Sequence, residues 1–345
     1  MKFISKFHSE QFYFLVSAVS SFILNLFSFK KEVKNILVIK LDEIGDMAYA
    51  MHVFKHLKTQ FPEAKITLLC KNFVRPLVAN NPYINSIIQE LPKATKFDTI
   101  VELRGNWQTL KYALKQFPVQ RFDRGTIRIK NKINGKQKHE TITNFEIIAP
   151  ILTKGTLLEM PQLYPDSDEI EHVGAFIESN KLKRFVVLHC GARRVLRQWP
   201  VQNFALLVKV LFEKYQLQIV FAGTQEDEST IQQINQLSNI ESFQCTRNFN
   251  LMHFACLVQK SALFIGNESG PLHLAAIMKT PLIGIYGPGV KDIFYPIGEK
   301  SEVIHHVLEC NPCDQITCVR PQNPCINLVT LAEVEQKITL LLEKK

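Results

Sequence analysis

The chain of 345 residues is 46% hydrophobic and 21% charged, with a formal charge of +9. That length suits two domains with separate cores, and the composition excludes a disordered or fibrous protein. Eight cysteines in so long a chain argue against a disulfide scaffold and for a reducing compartment. The positive balance suits phosphorylated ligands or an anionic membrane surface. No zinc-finger spacing or RNP-type sequence supports a nucleic-acid partner.

Residues 11–29, QFYFLVSAVSSFILNLFSF, carry no charge and are flanked by Lys2, Lys6, Lys30, Lys31 and Lys34. The length is just enough to span a bilayer. The pattern is two-sided, however. Ser17, Ser20, Ser21, Asn25 and Ser28 share one helical face, and Phe12, Leu15, Val19, Phe22, Ile23 and Leu26 take the other. We read it as a helix lying in a membrane interface, ahead of a cleaved signal peptide or a helix packed on the protein's own core.

Asn35–Leu41 reads as a buried strand, Asp42–Asp46 as a turn and Met47–Gln60 as a helix. Further strands are expected at 65–70, 84–89 and 99–103, with a weaker one at 119–122. Residues 127–139 are basic and polar and read as a loop. The prolines and acids of 161–171 read as an interdomain linker. A second series follows: strand 185–189, the loop Cys190-Gly191-Ala192-Arg193-Arg194-Val195-Leu196-Arg197-Gln198-Trp199-Pro200, helix 201–215, strand 218–222, and the turn Gly223–Asp227. A helix over 250–260 leads to LFIGNESGPLHLAAIMKTPLIGIYGP at 263–288, a strand, polar turn, short helix and second strand. Its helix start, at the carboxyl edge of a parallel sheet, suits a phosphate, and Glu268 in the same turn can reach sugar hydroxyls. There is no Gly-Lys-Ser/Thr ending and no G-x-G-x-x-G turn after the first strand, which excludes a P-loop and a standard dinucleotide dehydrogenase. Strands alternating with helices imply an α/β protein with two Rossmann-like doubly wound domains, expected to face each other across a cleft. Cys310 and Cys313 have a metal-knuckle spacing, but Cys318 and Cys325 are too far apart for a zinc ribbon. No metal is expected, and the four read as reduced thiols on a loop.

Four segments together resemble glycosyltransferase family 9, the bacterial lipopolysaccharide heptosyltransferases. They are ILVIKLDEIGDMAYAMHVFKHLKTQFPEAKITLL, VVLHCGARRVLRQWPVQNFALLV, the 263–288 stretch, and the Cys-x-Pro-Cys tail. The resemblance runs from about residue 35 to the C-terminus. It implies the glycosyltransferase-B architecture and inverting, metal-independent transfer from a nucleotide diphosphate sugar, usually ADP-heptose, to the lipopolysaccharide core, with no cofactor beyond the donor. By match to the family's Ile-Gly-Asp turn, Asp46 is the general base; on local grounds it also suits a helix N-cap. Arg197 matches the family's phosphate-binding lysine. Arg193 and Arg194 either help it or form a solvated basic loop. Gly191, Ala192, Ser269, Gly270 and Pro271 are expected to shape access to the diphosphate, Glu226 (with Asp227 as rival) to bind ribose, and Phe249 to offer its backbone to adenine. His273 reads as structural. Glu268 stands where the family has Asp, Cys190 where it commonly has Pro, and Asp42-Glu43 where it has small polar residues.

The expected layout is a membrane-associating helix over 1–34, an acceptor-side domain over 35–165, a linker over 166–182, a nucleotide-sugar-binding domain over 183–330 and a C-terminal helix over 331–345. The expected setting is the cytoplasmic face of the inner membrane, beside a lipid-linked oligosaccharide acceptor. The alternatives are a nucleotide-sugar epimerase of similar fold and a non-catalytic nucleotide-sugar-binding membrane adaptor.

Overall fold

The computed structural model describes residues 2–27, 32–117, 119–135, 137–311 and 313–343, the side chains of 2–10 and 343 excepted. The chain divides into two compact units, Met1–Tyr164 and Pro165–Lys345.

The first unit opens with helix α1 (Lys2–Phe27) and continues β1 (Asn35–Lys40), α2 (Ile44–Ala48), α3 (Met51–Gln60), β2 (Lys65–Cys70), α4 (Arg75–Val78), β3 (Ser86–Ile88), β4 (Thr99–Arg104), α5 (Trp107–Lys115), β5 (Gln120–Asp123), α6 (Arg124–Ile133) and α7 (Glu140–Ile148). Its parallel sheet has the order β3-β2-β1-β4-β5. Ile36 to Ile39 are all fully buried, as a strand covered on both faces requires. The chain leaves β1 towards one edge and later returns to build the other, so the strand order reverses between β1 and β4.

The second unit comprises α8 (Ser167–Ser179), β6 (Phe185–His189), α9 (Val201–Lys209), β7 (Gln218–Ala222), α10 (Glu228–Ser238), β8 (Phe243–Cys245), α11 (Leu251–Lys260), β9 (Leu263–Asn267), α12 (Gly270–Ile277), β10 (Leu282–Tyr286), α13 (Lys291–Phe294), β11 (Ser301–His305) and α14 (Leu331–Glu343). Its parallel sheet runs β11-β10-β9-β6-β7-β8, reversing between β6 and β9. Leu188, Phe221, Ile265 and Ile285 of the strands pack with Trp199, Phe204 and Ile338 in one core.

Three expectations are corrected. The stretch read as linker, 166–182, is mostly helix α8, started by a capping box in which Asp166 and Glu169 bond each other's backbone N–H. The stretch read as a basic loop is largely α6, whose Arg124 and Ile127 turn inward. Its N-cap, Asp123, accepts from Thr126 N–H.

The third concerns α1, which is packed on β5, α5 and α6 of the first unit instead of standing apart as a 1–34 segment. Its polar face is the one that docks. Ser17 Oγ donates to Asp123 Oδ1 (2.8 Å), and fully buried Arg121 donates to Ser17 O (2.8 Å) and Ser21 Oγ (2.6 Å). Asn25 exchanges two 2.8 Å bonds with the Arg121 backbone, and Tyr13 donates to Glu102 at 2.5 Å. Arg121 also pairs with Glu102 at 2.9 Å. The apolar face is left exposed, with Phe22 at 66% and Leu26 at 63%. No helix among the described residues is long and apolar enough to cross a membrane. Ser28, Lys30 and Lys31 lie outside the described residues, as do the side chains of Lys2 and Lys6.

Candidate active site

Open α/β sheets bind ligands beyond the carboxyl ends of their strands, at the point where strand order reverses. In the first unit that point follows β1, and α2 begins there. Asp46 lies in the first turn of α2. It is not the N-cap, a position held by Glu43, whose side chain makes no capping bond but pairs with Lys71 at 3.3 Å. Half-buried by area but enclosed by protein and ringed by charge, the Asp46 carboxyl accepts no hydrogen bond from the described residues. Burial raises its pKa, as do Asp42 and Glu140, while Lys40 and Arg124 pull it down; the balance stands at about 7.

Beneath it lies a network of long-range partners. Fully buried Lys40, the last residue of β1, bonds Asp42 Oδ2 (3.1 Å) and Glu140 Oε1 (3.0 Å). Arg124 grips Glu140 with both terminal nitrogens, one at 3.0 Å, and anchors Nε on Leu103 O at 2.6 Å. Burial pushes Glu140 up, but Arg124 and Lys40 outweigh it and hold it at about 2. Glu140 therefore stays ionised, and its charge helps keep Asp46 protonatable near neutrality. Sequence reasoning missed Lys40, Arg124 and Glu140. Lys40 lay inside the expected strand 35–41, and Arg124 and Glu140 flanked the stretch 127–139 read as a loop.

Ligand oxygens of Asp42, Asp46 and Glu140 lie within 4.8 Å of one another, the one such group of three or more His, Cys, Asp or Glu among the described residues. Two of the three carboxylates already hold Lys40 and Arg124. The tail sulfurs of Cys310, Cys313, Cys318 and Cys325 do not converge to that degree, although all four line a cavity of about 30 Å³ beside Leu196 and Pro288.

In the second unit the expected donor residues follow the carboxyl ends of four neighbouring strands. Gly191 to Arg197 follow β6, Glu226 follows β7, Phe249 follows β8 and Glu268 to Pro271 follow β9. Asn267, fully buried at the end of β9, fastens the 190–200 loop: its Nδ2 donates to Cys190 O (2.7 Å) and its Oδ1 accepts from Trp199 N–H (3.1 Å). Trp199 in turn donates its indole N–H to Val329 O at 2.9 Å. Arg197 is then held from two sides. Nε donates to Gln315 Oε1 of the cysteine loop (2.6 Å), and Nη1 lies 3.2 Å from Glu268 Oε1.

Glu268 is only 2% exposed, and neither carboxylate oxygen receives a well-directed hydrogen bond. Burial lifts its pKa to about 7, against the pull of Arg197. The side chain runs along Gly289, where an added Cβ would come within 1.6 Å of it. Gly289 is a glycine because Glu268 occupies its side-chain space. Ser269 begins α12 without a side-chain cap, donating its hydroxyl to Asn267 O (3.1 Å) instead. Among the described residues no side chain caps this end of α12; Pro271 has no N–H, and Leu272 N–H bonds Ser269 O at 3.2 Å.

Asp227 is already engaged. It accepts from Thr224 N–H at 2.7 Å, and its carboxylate fills the space that side chains at Gly191 and Gly223 would need. Glu226 is exposed and accepts nothing from the described residues. Arg193 is exposed and Arg194 and Ala192 half-buried on the same loop. Phe249 packs among His172, Phe176 and His253. His273 is buried beside Phe294.

A family model described as glycosyltransferase family 9 (heptosyltransferase) matches residues 93–323. The chain belongs to glycosyltransferase family 9. As a member of this family it is a transferase enzyme, not an epimerase. A Haemophilus influenzae protein that carries only a provisional glycosyltransferase name is 25% identical over 285 residues, covering 73% of this chain and 82% of that one. Among solved structures, a glycosyl transferase family 9 protein from Veillonella parvula superposes with a TM-score of 0.77 at 18% identity, covering 92% of this chain and all of the other. The E. coli ADP-heptose lps heptosyltransferase II gives 0.68 at 20% identity, covering 90% and 99%. These likenesses establish the two-domain fold of the family.

Proposed function

We propose that this family 9 enzyme is an inverting transferase that moves heptose from ADP-heptose to a lipid-linked lipopolysaccharide core acceptor at the cytoplasmic face of the inner membrane. The observation that carries the reading is Asp46: a carboxyl without hydrogen-bond partners among the described residues, poised near neutrality at the switch point of its sheet. Such a group can accept a proton from an acceptor hydroxyl. As that oxygen bonds the anomeric carbon from the face opposite the leaving group, the bond to the diphosphate oxygen breaks and the nucleoside diphosphate departs with the electron pair. Inversion follows from the single displacement.

The second unit supplies what the leaving group needs. Arg197 on its two anchors, Arg193 and Arg194 nearby, and the uncapped start of α12 offer fixed positive charge where negative charge develops. That set supports a metal-independent reaction. Glu226 is the ribose ligand in this reading, Gly191 and Ala192 line the diphosphate path with Ser269, Gly270 and Pro271, and the Phe249 backbone meets the base. The donor and acceptor named for the E. coli structure motivate ADP-heptose and lipopolysaccharide.

Calorimetric titration with ADP-heptose, ADP, UDP-sugars and GDP-sugars, with and without EDTA, tests the reading. Selective, EDTA-insensitive binding of the ADP compounds is expected. Preference for another nucleotide overturns the donor assignment while leaving the transferase.

A further inference from the structure

We infer that the outward apolar face of α1, with the basic helices α5 and α6 that pack against that helix, is a docking surface for an anionic lipid bilayer. The inference deepens the proposed function, resting on it for the purpose of the contact: it names the part of the enzyme that reaches a lipid-borne acceptor.

Three observations converge. The first is the inverted packing of α1. A helix on a globular protein ordinarily buries its apolar stripe. Here Ser17, Ser21 and Asn25 are turned inward onto Arg121 and Asp123, and Phe12, Leu15, Val19, Phe22, Ile23 and Leu26 are all at least 47% exposed. The inward bonds fix the helix with that stripe outward.

The second is the continuation of the stripe onto α5. Trp107, 41% exposed, lies against Phe12 and Tyr13 with ring centroids 6.1 and 5.2 Å away. Phe117 meets Phe27 at 6.0 Å at the other end. Exposed aromatic rings at the rim of an apolar strip suit the headgroup level of a bilayer.

The third is charge. From Gln11 to Phe27, and through all of α5 and α6, there is no Asp or Glu. In the same helices Lys111, Lys115, Arg128, Lys130 and Lys132 are exposed, and Arg128 stands 4.4 Å from the centre of the Phe14 ring. Each cation near an anionic leaflet adds attraction. Against a second copy of the chain the same cations would repel. A helix fixed from Tyr13 to Asn25 by buried polar bonds lies on the bilayer rather than through it.

The test is flotation of the purified full chain with phosphatidylcholine vesicles, with and without phosphatidylglycerol. We expect flotation with the anionic vesicles and roughly tenfold weaker binding without phosphatidylglycerol. Phe22→Asp with Leu26→Asp should lower binding about tenfold or more, with an unchanged circular dichroism melt. Lys130→Glu with Lys132→Glu should remove the dependence on phosphatidylglycerol. The inference is overturned if the wild-type chain floats with neither vesicle, or if the Phe22/Leu26 variant floats as well as wild type. It is also overturned if lipid-free protein forms dimers that the same variant dissolves, since the face would then belong to a second copy. Calorimetric donor binding by these variants reports on the transferase reading separately.

Discussion

Asp46 and Glu268 are acids raised to about 7 by burial, one in each unit, with opposite surroundings. Asp46 sits among paired charges and accepts no hydrogen bond from the described residues, which leaves it open as a proton acceptor. Protonated below about 7, it cannot take the acceptor's proton, so kcat/KM should rise with pH and level off above that value. Asp46→Asn should abolish this limb and lower turnover by about 10² to 10⁴ while calorimetric donor binding persists. Glu268 faces Arg197 but lacks a directed donor, so ionising it in the ligand-free protein is costly. Its folded pKa exceeds the ordinary 4.5. The folded state therefore holds a proton that the unfolded state has lost between about 4.5 and 7, and stability falls with pH across that window. Relative to wild type, Glu268→Gln should gain up to about 3 kcal/mol between pH 4.5 and 8, read from denaturant unfolding at each pH.

At the scale of elements, each site is a loop fixed by something distant in sequence. The 190–200 loop hangs on Asn267 and on Gln315 of the cysteine loop, and Glu268 fills the space beside Gly289. Gly289→Ala would force that side chain aside. We expect it to weaken donor binding by about tenfold, the scale of a lost 1.4 kcal/mol, measured by calorimetry. In the first unit, Arg121 ties α1 to β5 through buried bonds to Ser17 and Ser21 and pairs with Glu102. Arg121→Ala strands that carboxylate and should cost about 3–5 kcal/mol, read from unfolding curves. These devices explain which parts of the site were legible. Asp46, Arg197 and Glu268 lie in turns after apolar strands, where local pattern marks a ligand edge. Lys40, Arg124 and Glu140 gain their roles from contacts across up to 100 residues, and no local spacing announces them. The Asp166-x-x-Glu169 capping box was a readable helix signal, masked by the prolines and acids around it.

Over the whole molecule, apolar runs of five or six residues separated by helical stretches were enough to give two doubly wound units, because a strand buried on both faces has little other composition open to it. What the pattern of α1 gave was its two faces, not which one would turn inward; that depended on a buried arginine about a hundred residues away. Every strand pair described is parallel, so each neighbour must be reached through a crossover. Non-local pairing on this scale is slow. Refolding phases of about a second or longer are expected, followed by stopped-flow fluorescence. The two tryptophans, Trp107 and Trp199, fall one in each unit, so single Trp→Phe variants would time the units separately.

The docking of α1 also imposes an order on biosynthesis. Its inward partners Glu102, Arg121 and Asp123 lie 89 to 106 positions further along the chain. At about 5–20 residues per second, the ribosome releases this helix several seconds before anything exists to receive its serines. During that interval both faces are bare, and the greasy one is already complete. The polar face of the newborn helix therefore stays without its partners until residues 102–123 have been made.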